Sequence, residues 1–133
     1  MGEVINVRCK ACKKEWQCFT GNGLLHGRKE TVLAAFSEKD RQQAQRLMEE
    51  SKIPAYDFQY RLAVCGQCHN VVAVPVLRSA DSEETVTGGC PLCGENIKDL
   101  CEEEQSVEDW SEKTACPVCK CMRMEAEESG QWD

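Results

Sequence analysis

The feature that most constrains this chain is a Cys-x-x-Cys pair that recurs four times: Cys9–Cys12, Cys65–Cys68, Cys90–Cys93 and Cys116–Cys119. In each pair the two intervening residues let the chain turn so that both sulfurs face one centre. Amides of the turn can then donate to the thiolates. Two such knuckles complete a tetrahedron of four thiolates around zinc at about 2.3 Å per sulfur. One pair alone is weak, because a thioredoxin-like redox motif has the same spacing. Four pairs within 133 residues point to metal. The candidate ligands are therefore Cys9, Cys12, Cys65, Cys68, Cys90, Cys93, Cys116 and Cys119, and the expectation is two zinc ions per chain.

Three pairings of the knuckles exist. The preferred one joins Cys9, Cys12, Cys65 and Cys68 in one site, and Cys90, Cys93, Cys116 and Cys119 in the other. The first two knuckles share a hairpin-like context across 52 intervening residues, and the last two share a polar context across 22. An adjacent alternative joins Cys65 and Cys68 to Cys90 and Cys93 across 21 residues, and spacing alone leaves it open.

Composition explains why metal would matter. Hydrophobic residues make up 41 %, but 11 of them are cysteines, and aromatics are only 6 %. Domains with so little core need metal, disulfides or a partner. A secreted disulfide scaffold is expected to arrive behind an apolar leader, and Met1–Arg8 contains none. No apolar run reaches the about 18 residues of a membrane span. Asn6 stands where a myristoylation signal after Gly2 wants Ser or Thr. The expectation is a cytoplasmic setting without membrane attachment, where paired cysteines are ligands more often than disulfides. The formal charge is −7; eight thiolates (−8) and two zinc ions (+4) bring it to about −11. That charge disfavours nucleic acid, whose nonspecific affinity comes from phosphate contacts.

Two β-branched hairpins frame the first two knuckles, over Val4–Phe19 and Phe58–Leu77. Between them, Val32, Leu33 and Phe36, then Ala44, Leu47 and Met48, form apolar stripes that predict two short helices. Ser37, with Asp40 three residues on, reads as a helix N-cap, and Pro54 as a stop. Ser79–Glu84 reads as a linker. Glu102–Glu104 and Glu125–Glu128 read as solvated charge runs. The predicted fold is a small, metal-stabilised α+β protein. Residues 1–78 would form a zinc ribbon with a helical insertion at about 28–52, and residues 85–133 a second zinc-knuckle unit.

Three cysteines remain. Cys18, Cys101 and Cys121 are expected to be core or surface bystanders rather than ligands. His69 follows Cys68 directly, where a shared ligand role is sterically awkward, and His26 lies in a glycine-rich loop. Gly21-Asn22-Gly23 lacks the lysine of a phosphate loop and reads as a turn. No motif assembles a nucleophile with a base, so no enzymatic activity is expected.

Several of these features together resemble a family of small bacterial zinc-ribbon proteins. They are the Cys9-Lys10-Ala11-Cys12 knuckle with Phe19-Thr20-Gly21-Asn22-Gly23 after it, the segment Tyr60-Arg61-Leu62-Ala63-Val64-Cys65-Gly66-Gln67-Cys68, the closing Cys-Pro-x-Cys knuckle, and the ending Gly130-Gln131-Trp132-Asp133. The chain departs from that pattern at Lys120-Cys121, where such knuckles continue with glycines. The resemblance implies a zinc-ribbon fold and no particular activity. A noncatalytic adaptor with a protein partner is the leading functional expectation. A nucleic-acid-binding ribbon using Arg8, Lys10, Lys13 and Lys14 beside Trp16 and Phe19 is one alternative. A thiol-redox or rubredoxin-like electron-transfer protein is the other.

Overall fold

A computed structural model describes residues 2–21, 29–50, 56–79, 84–102 and 104–132. His26, the Asn22-Gly23 turn and Pro54 lie outside the described residues. The first hairpin is β1 (Gly2–Cys9) with β2 (Glu15–Thr20). The second is β3 (Tyr56–Cys65) with β4 (Asn70–Ser79), paired in register from Tyr56↔Ser79 to Cys65↔Asn70. Between the hairpins lie α1 (Lys29–Ala34) and α2 (Glu38–Glu50), as the apolar stripes predict. The rest of the chain adds β5 (Thr85–Thr87), β6 (Ile97–Lys98), α3 (Val107–Lys113) and β7 (Met124–Trp132). No helix among the described residues is long and apolar enough to cross a membrane.

The strands form two antiparallel sheets, in the orders β2-β1-β7 and β5-β4-β3-β6. Each hairpin thus gains a third strand along its first strand: β7 along β1, and β6 along β3. Strands β3 to β6 lie in the sequence between β2 and β7, so the four-stranded sheet is nested inside the three-stranded one. The expected division into 1–78 and 85–133 therefore runs through both sheets. Each sheet takes strands from both sides of that boundary.

Glu125–Glu128, read from sequence as a solvated run, belongs to β7. Its inward residues, Met124 and Ala126, are buried, and Glu125 and Glu127 point outward in the alternation a half-buried strand requires. The register slips between Val4 and Ile5, where Val4 pairs with Gly130 and Ile5 with Glu128; Ser129 is the unpaired residue of this bulge. Pro75 sits inside β4, yet its carbonyl accepts from Gly88, so its missing N–H faces the end of the β5 ladder rather than β3.

The two sheets share one buried cluster. Ile5, Val7 and Cys18 of the first meet Leu62, Val64 and Val71 of the second. The strands also touch at a bridge, where Gly21 and Tyr60 exchange backbone hydrogen bonds of 2.9 and 2.7 Å. The helices cover the far half of the second sheet: Val32, Phe36, Ala44, Leu47 and Met48 pack against Phe58, Leu77 and Val86. Arg41 ties the two helices together, its guanidinium donating to the carbonyls of Leu33 and Phe36 at 3.1 and 3.2 Å. The Ser37 hydroxyl donates to the Asp40 carboxylate at the start of α2.

Helix α3 begins at Ser106, whose hydroxyl accepts from the Asp109 N–H at 3.1 Å. The helix delivers Trp110 into the shared core beside Cys116, where the indole N–H donates to the Asp99 carbonyl. Trp110 is the largest fully buried side chain, so Trp110→Ala leaves a cavity next to a knuckle. A destabilisation of about 3–5 kcal/mol is expected, read as a lowered midpoint in denaturant titration. A shift under about 1 kcal/mol would mean that α3 is peripheral to the fold.

Candidate metal centres

The four knuckles have one backbone design. In each, the N–H of the residue after the second cysteine donates to the carbonyl of the first: Lys13 to Cys9, His69 to Cys65, Gly94 to Cys90 and Lys120 to Cys116, at 2.8–3.0 Å. Each donor residue is left-handed, with φ of 67°, 57°, 79° and 65° respectively. Only Gly94 is a glycine; the other three carry the steric cost of a Cβ in that region. Lys120, where the sequence departs from the glycine pattern, has the same conformation as Gly94.

The cysteines gather in two sets of four: Cys9, Cys12, Cys116 and Cys119 (site one), and Cys65, Cys68, Cys90 and Cys93 (site two). The preferred pairing of the sequence reading is thereby corrected, and the adjacent alternative is the one observed. The physical reason is the added third strand. β7 and β6 each follow a Cys-Pro-x-Cys knuckle and pair with the first strand of a hairpin, which carries that knuckle to the hairpin's own turn. The sequence did hold the signal. Two knuckles follow β-branched strands and two begin Cys-Pro, and each site takes one of each kind.

At site one, Cys9 and Cys119 sulfurs are 3.5 Å apart, and Cys12 and Cys116 sulfurs 3.7 Å. At site two the corresponding separations are 3.4 Å for Cys65–Cys93 and 3.6 Å for Cys68–Cys90. All four ligand atoms in each set lie within 4.8 Å of one another. A tetrahedron with metal–sulfur bonds of about 2.3 Å has edges of about 3.8 Å, so both sets fit a four-thiolate metal ion. These separations are far longer than the about 2.05 Å of a disulfide. Cys9, Cys65, Cys90 and Cys116 are buried, while Cys12 and Cys93 reach the surface.

The turns also favour thiolates. Backbone N–H groups of Cys68, Leu92 and Val118 point at the sulfurs of Cys65, Cys90 and Cys116, each at 3.4 Å. Burial pushes the Cys9 thiol up, but the amides of Cys12 and Ala11 and the neighbouring thiols outweigh it and hold the group down at about 7. Cys65 behaves alike: burial opposes, amides and thiols of its site prevail, and the group sits at about 7. Their partners move the other way. The Lys14 amide lowers Cys12, but desolvation and the thiols of Cys9, Cys116 and Cys119 drive it up to about 11. At Cys93 the Glu95 amide is likewise outweighed by burial and the site's thiols, giving about 12. Four thiols this close cannot all ionise without a cation among them.

The remaining cysteines stand apart from both sets. Cys18 is buried, donates to the Val71 carbonyl, and is pushed up to about 11 by burial. Cys101 is buried beside Gln105, whose carbonyl accepts its S–H, and burial raises it to about 11. Cys121 is exposed, but its carbonyl accepts from the Cys116 N–H and so shapes the last knuckle. His69 is exposed and belongs to neither set.

Around the centres, two basic residues of the first hairpin have acidic neighbours. Arg8 pairs with Glu15 at 3.7 Å, and Lys10 with Glu125 of β7 at 3.6 Å. A separate apolar groove of about 420 Å³ is lined by Phe19, Tyr60, Ala73, Leu92 and Trp132, with Phe19 51 % and Leu92 68 % exposed. No protein-family model, curated protein or solved structure matches the chain. The resemblance to small bacterial zinc-ribbon proteins therefore stands on its quoted motifs alone.

Because Cys12 and Cys93 are held up near 11 and 12 while Cys9 and Cys65 sit near 7, metal uptake at neutral pH must displace protons. At least about one proton per ion is expected to be released, with affinity rising as pH rises and metal lost on acidification. A pH-indicator dye followed during metal titration in weak buffer measures this. Release of less than about one proton per ion would contradict the thiol assignment.

Proposed function

We propose that the chain is a zinc protein built as two nested zinc ribbons, each closed by a structural four-cysteine site, and that it serves as a noncatalytic adaptor for a protein partner. The observation that carries the metal reading is the pair of thiol tetrahedra, each drawn from one hairpin turn and one closing knuckle. Zinc suits four thiolates without demanding any further ligand. With four protein ligands the ion has no open position for substrate, which supports a structural rather than catalytic role. The exposed apolar groove beside Phe19 and Leu92 is the surface on which we place that partner.

The nucleic-acid alternative keeps Lys13 and Lys14 exposed but is weakened in the rest of its cluster. Arg8 and Lys10 face carboxylates, Trp16 packs inward against the core and donates to Asn70, and Phe19 stacks on Trp132. One observation favours a second reading, a thiol switch. Cys12 and Cys93 bring one ligand of each site to the surface, where an oxidant could reach it and release the ion.

Native mass spectrometry with elemental analysis tests the proposal, and two zinc ions per chain are expected. Iron in their place would move the reading to electron transfer. Cys9→Ser is expected to lose one ion and to free both knuckle and β7 from the first sheet, while Cys65→Ser empties the inner site. Either change should lower stability by several kcal/mol, of the order of a lost structural metal. Unchanged circular dichroism and melting for both variants would show that metal does not hold the fold.

A further inference from the structure

The two centres differ in what stands beside the hairpin knuckle. Two residues after its second cysteine, site one has Lys14 and site two has Asn70. The Asn70 carboxamide bridges Trp16 of β2 and the Cys68 knuckle. Its Nδ2 donates to the Cys68 carbonyl at 3.3 Å, and its Oδ1 accepts from Trp16 Nε1 at 3.0 Å. An indole N–H can only donate. Trp16 therefore dictates which end of the amide faces it, and the NH2 group is left toward Cys68.

Trp16 is in turn placed by the hairpin of site one. It pairs with Val7 on β1, two residues before Cys9, and packs on the core shared by the sheets. On the other side, the Asn70 amide holds the backbone carbonyl of Cys68, the second cysteine of its knuckle. A hydrogen bond to the backbone of a ligating residue fixes the orientation in which its sulfur meets the metal.

We propose that Asn70 is a positioning residue for the metal at site two, held in place by Trp16 from the hairpin of site one, so that the two sites fill cooperatively. The proposal rests on the zinc reading above. A filled site one clamps the β1–β2 turn, which fixes Trp16, which turns the Asn70 amide toward Cys68. An empty site one leaves that turn unclamped and the amide free to rotate. By linkage, an ion at site two must favour site one to the same degree. Groups that orient metal ligands in this way change metal affinity by about 10–100-fold.

Competition with a chromogenic chelator measures the two affinities, and cadmium NMR reads each site separately through its shift. Trp16→Phe keeps the ring and removes the N–H. It should weaken one of the two ions about tenfold and move one cadmium resonance, the same one that Cys93→Ser abolishes. Asn70→Asp keeps the acceptor for Trp16 but removes the donor, and should weaken that same ion by a similar factor. The double variant should be no weaker than the weaker single, because both changes break one relay. Two ions bound with affinities within about twofold of wild type and an unmoved resonance overturn the relay alone. So do strictly additive losses in the double variant. A chain that takes up no metal overturns the zinc reading and the relay together. Should Trp16→Phe fail to fold, Asn70→Asp decides by the same two readouts.

Discussion

The rest of the structure depends on site one, where the first turn of the chain meets a knuckle more than a hundred residues away. Cys9 faces Cys119 and Cys12 faces Cys116, at separations of 110 and 104 residues. That meeting fixes the start of β7, seats it along β1, and encloses everything between. Site two makes the same closure over only 28 and 22 residues. Loop-closure entropy grows with the logarithm of length, so the outer closure costs only about 1.4 kcal/mol more than the inner. Nesting one unit in the other is thus cheap in chain entropy. The inner unit can form first and present Leu62, Val64 and Val71 as the surface on which the outer sheet assembles.

The outer sheet is thin without that surface. Three strands with an exposed, charged outer face bury few side chains of their own. Its end is held instead by a run of rings. Trp132 stacks between Phe19 and Tyr60, each centroid 6.1 Å away, and Tyr60 continues to Phe58 and Phe36 in the helical core. The Trp132 indole also donates to the Thr20 carbonyl at 2.9 Å. Gly2 lies directly beneath it: a Cβ there would come within 2.1 Å of the indole. Trp132 of the ending singled out in the sequence thus has a packing role, closing the end of the outer sheet opposite site one.

Much of this was legible in advance, for reasons that separate cleanly. The knuckles, the two hairpins and the helical stripes are local signals, and each is present as read. Strand β7 was missed because its inward face shows only Met124 and Ala126 before the bulge, too short an alternation to outweigh three acidic residues in a row of five. Helix α3 was missed although Ser106 with Asp109 is a capping pattern, because the surrounding acidic composition reads as loop. The pairing of knuckles was the nonlocal question. Cysteine spacing measures distance along the chain, and nesting makes that distance irrelevant. What decides it is which strand each closing knuckle feeds.

The left-handed residues of the knuckles suggest why metal and fold are bound together here. Lys13, His69 and Lys120 hold φ near +60° without being glycines, at a cost of about 1–2 kcal/mol each. Such conformations persist only where the surroundings over-determine them. A hairpin turn alone does not do so, since a loop spanning 10–14 or 66–69 could relax. A four-thiolate ion does, because each knuckle must aim both sulfurs at one point and the residue after it must swing its N–H back to the first carbonyl. The same amides that aim at the sulfurs pull Cys9 and Cys65 down, so the strain and the ionisation arise from one arrangement of the turn. Removing the ion would leave the strain and the crowded thiols without what offsets them. In a chain whose apolar core is this modest, an ion bound as a structural zinc is would contribute roughly 10 kcal/mol or more, comparable to the whole stability of a small domain.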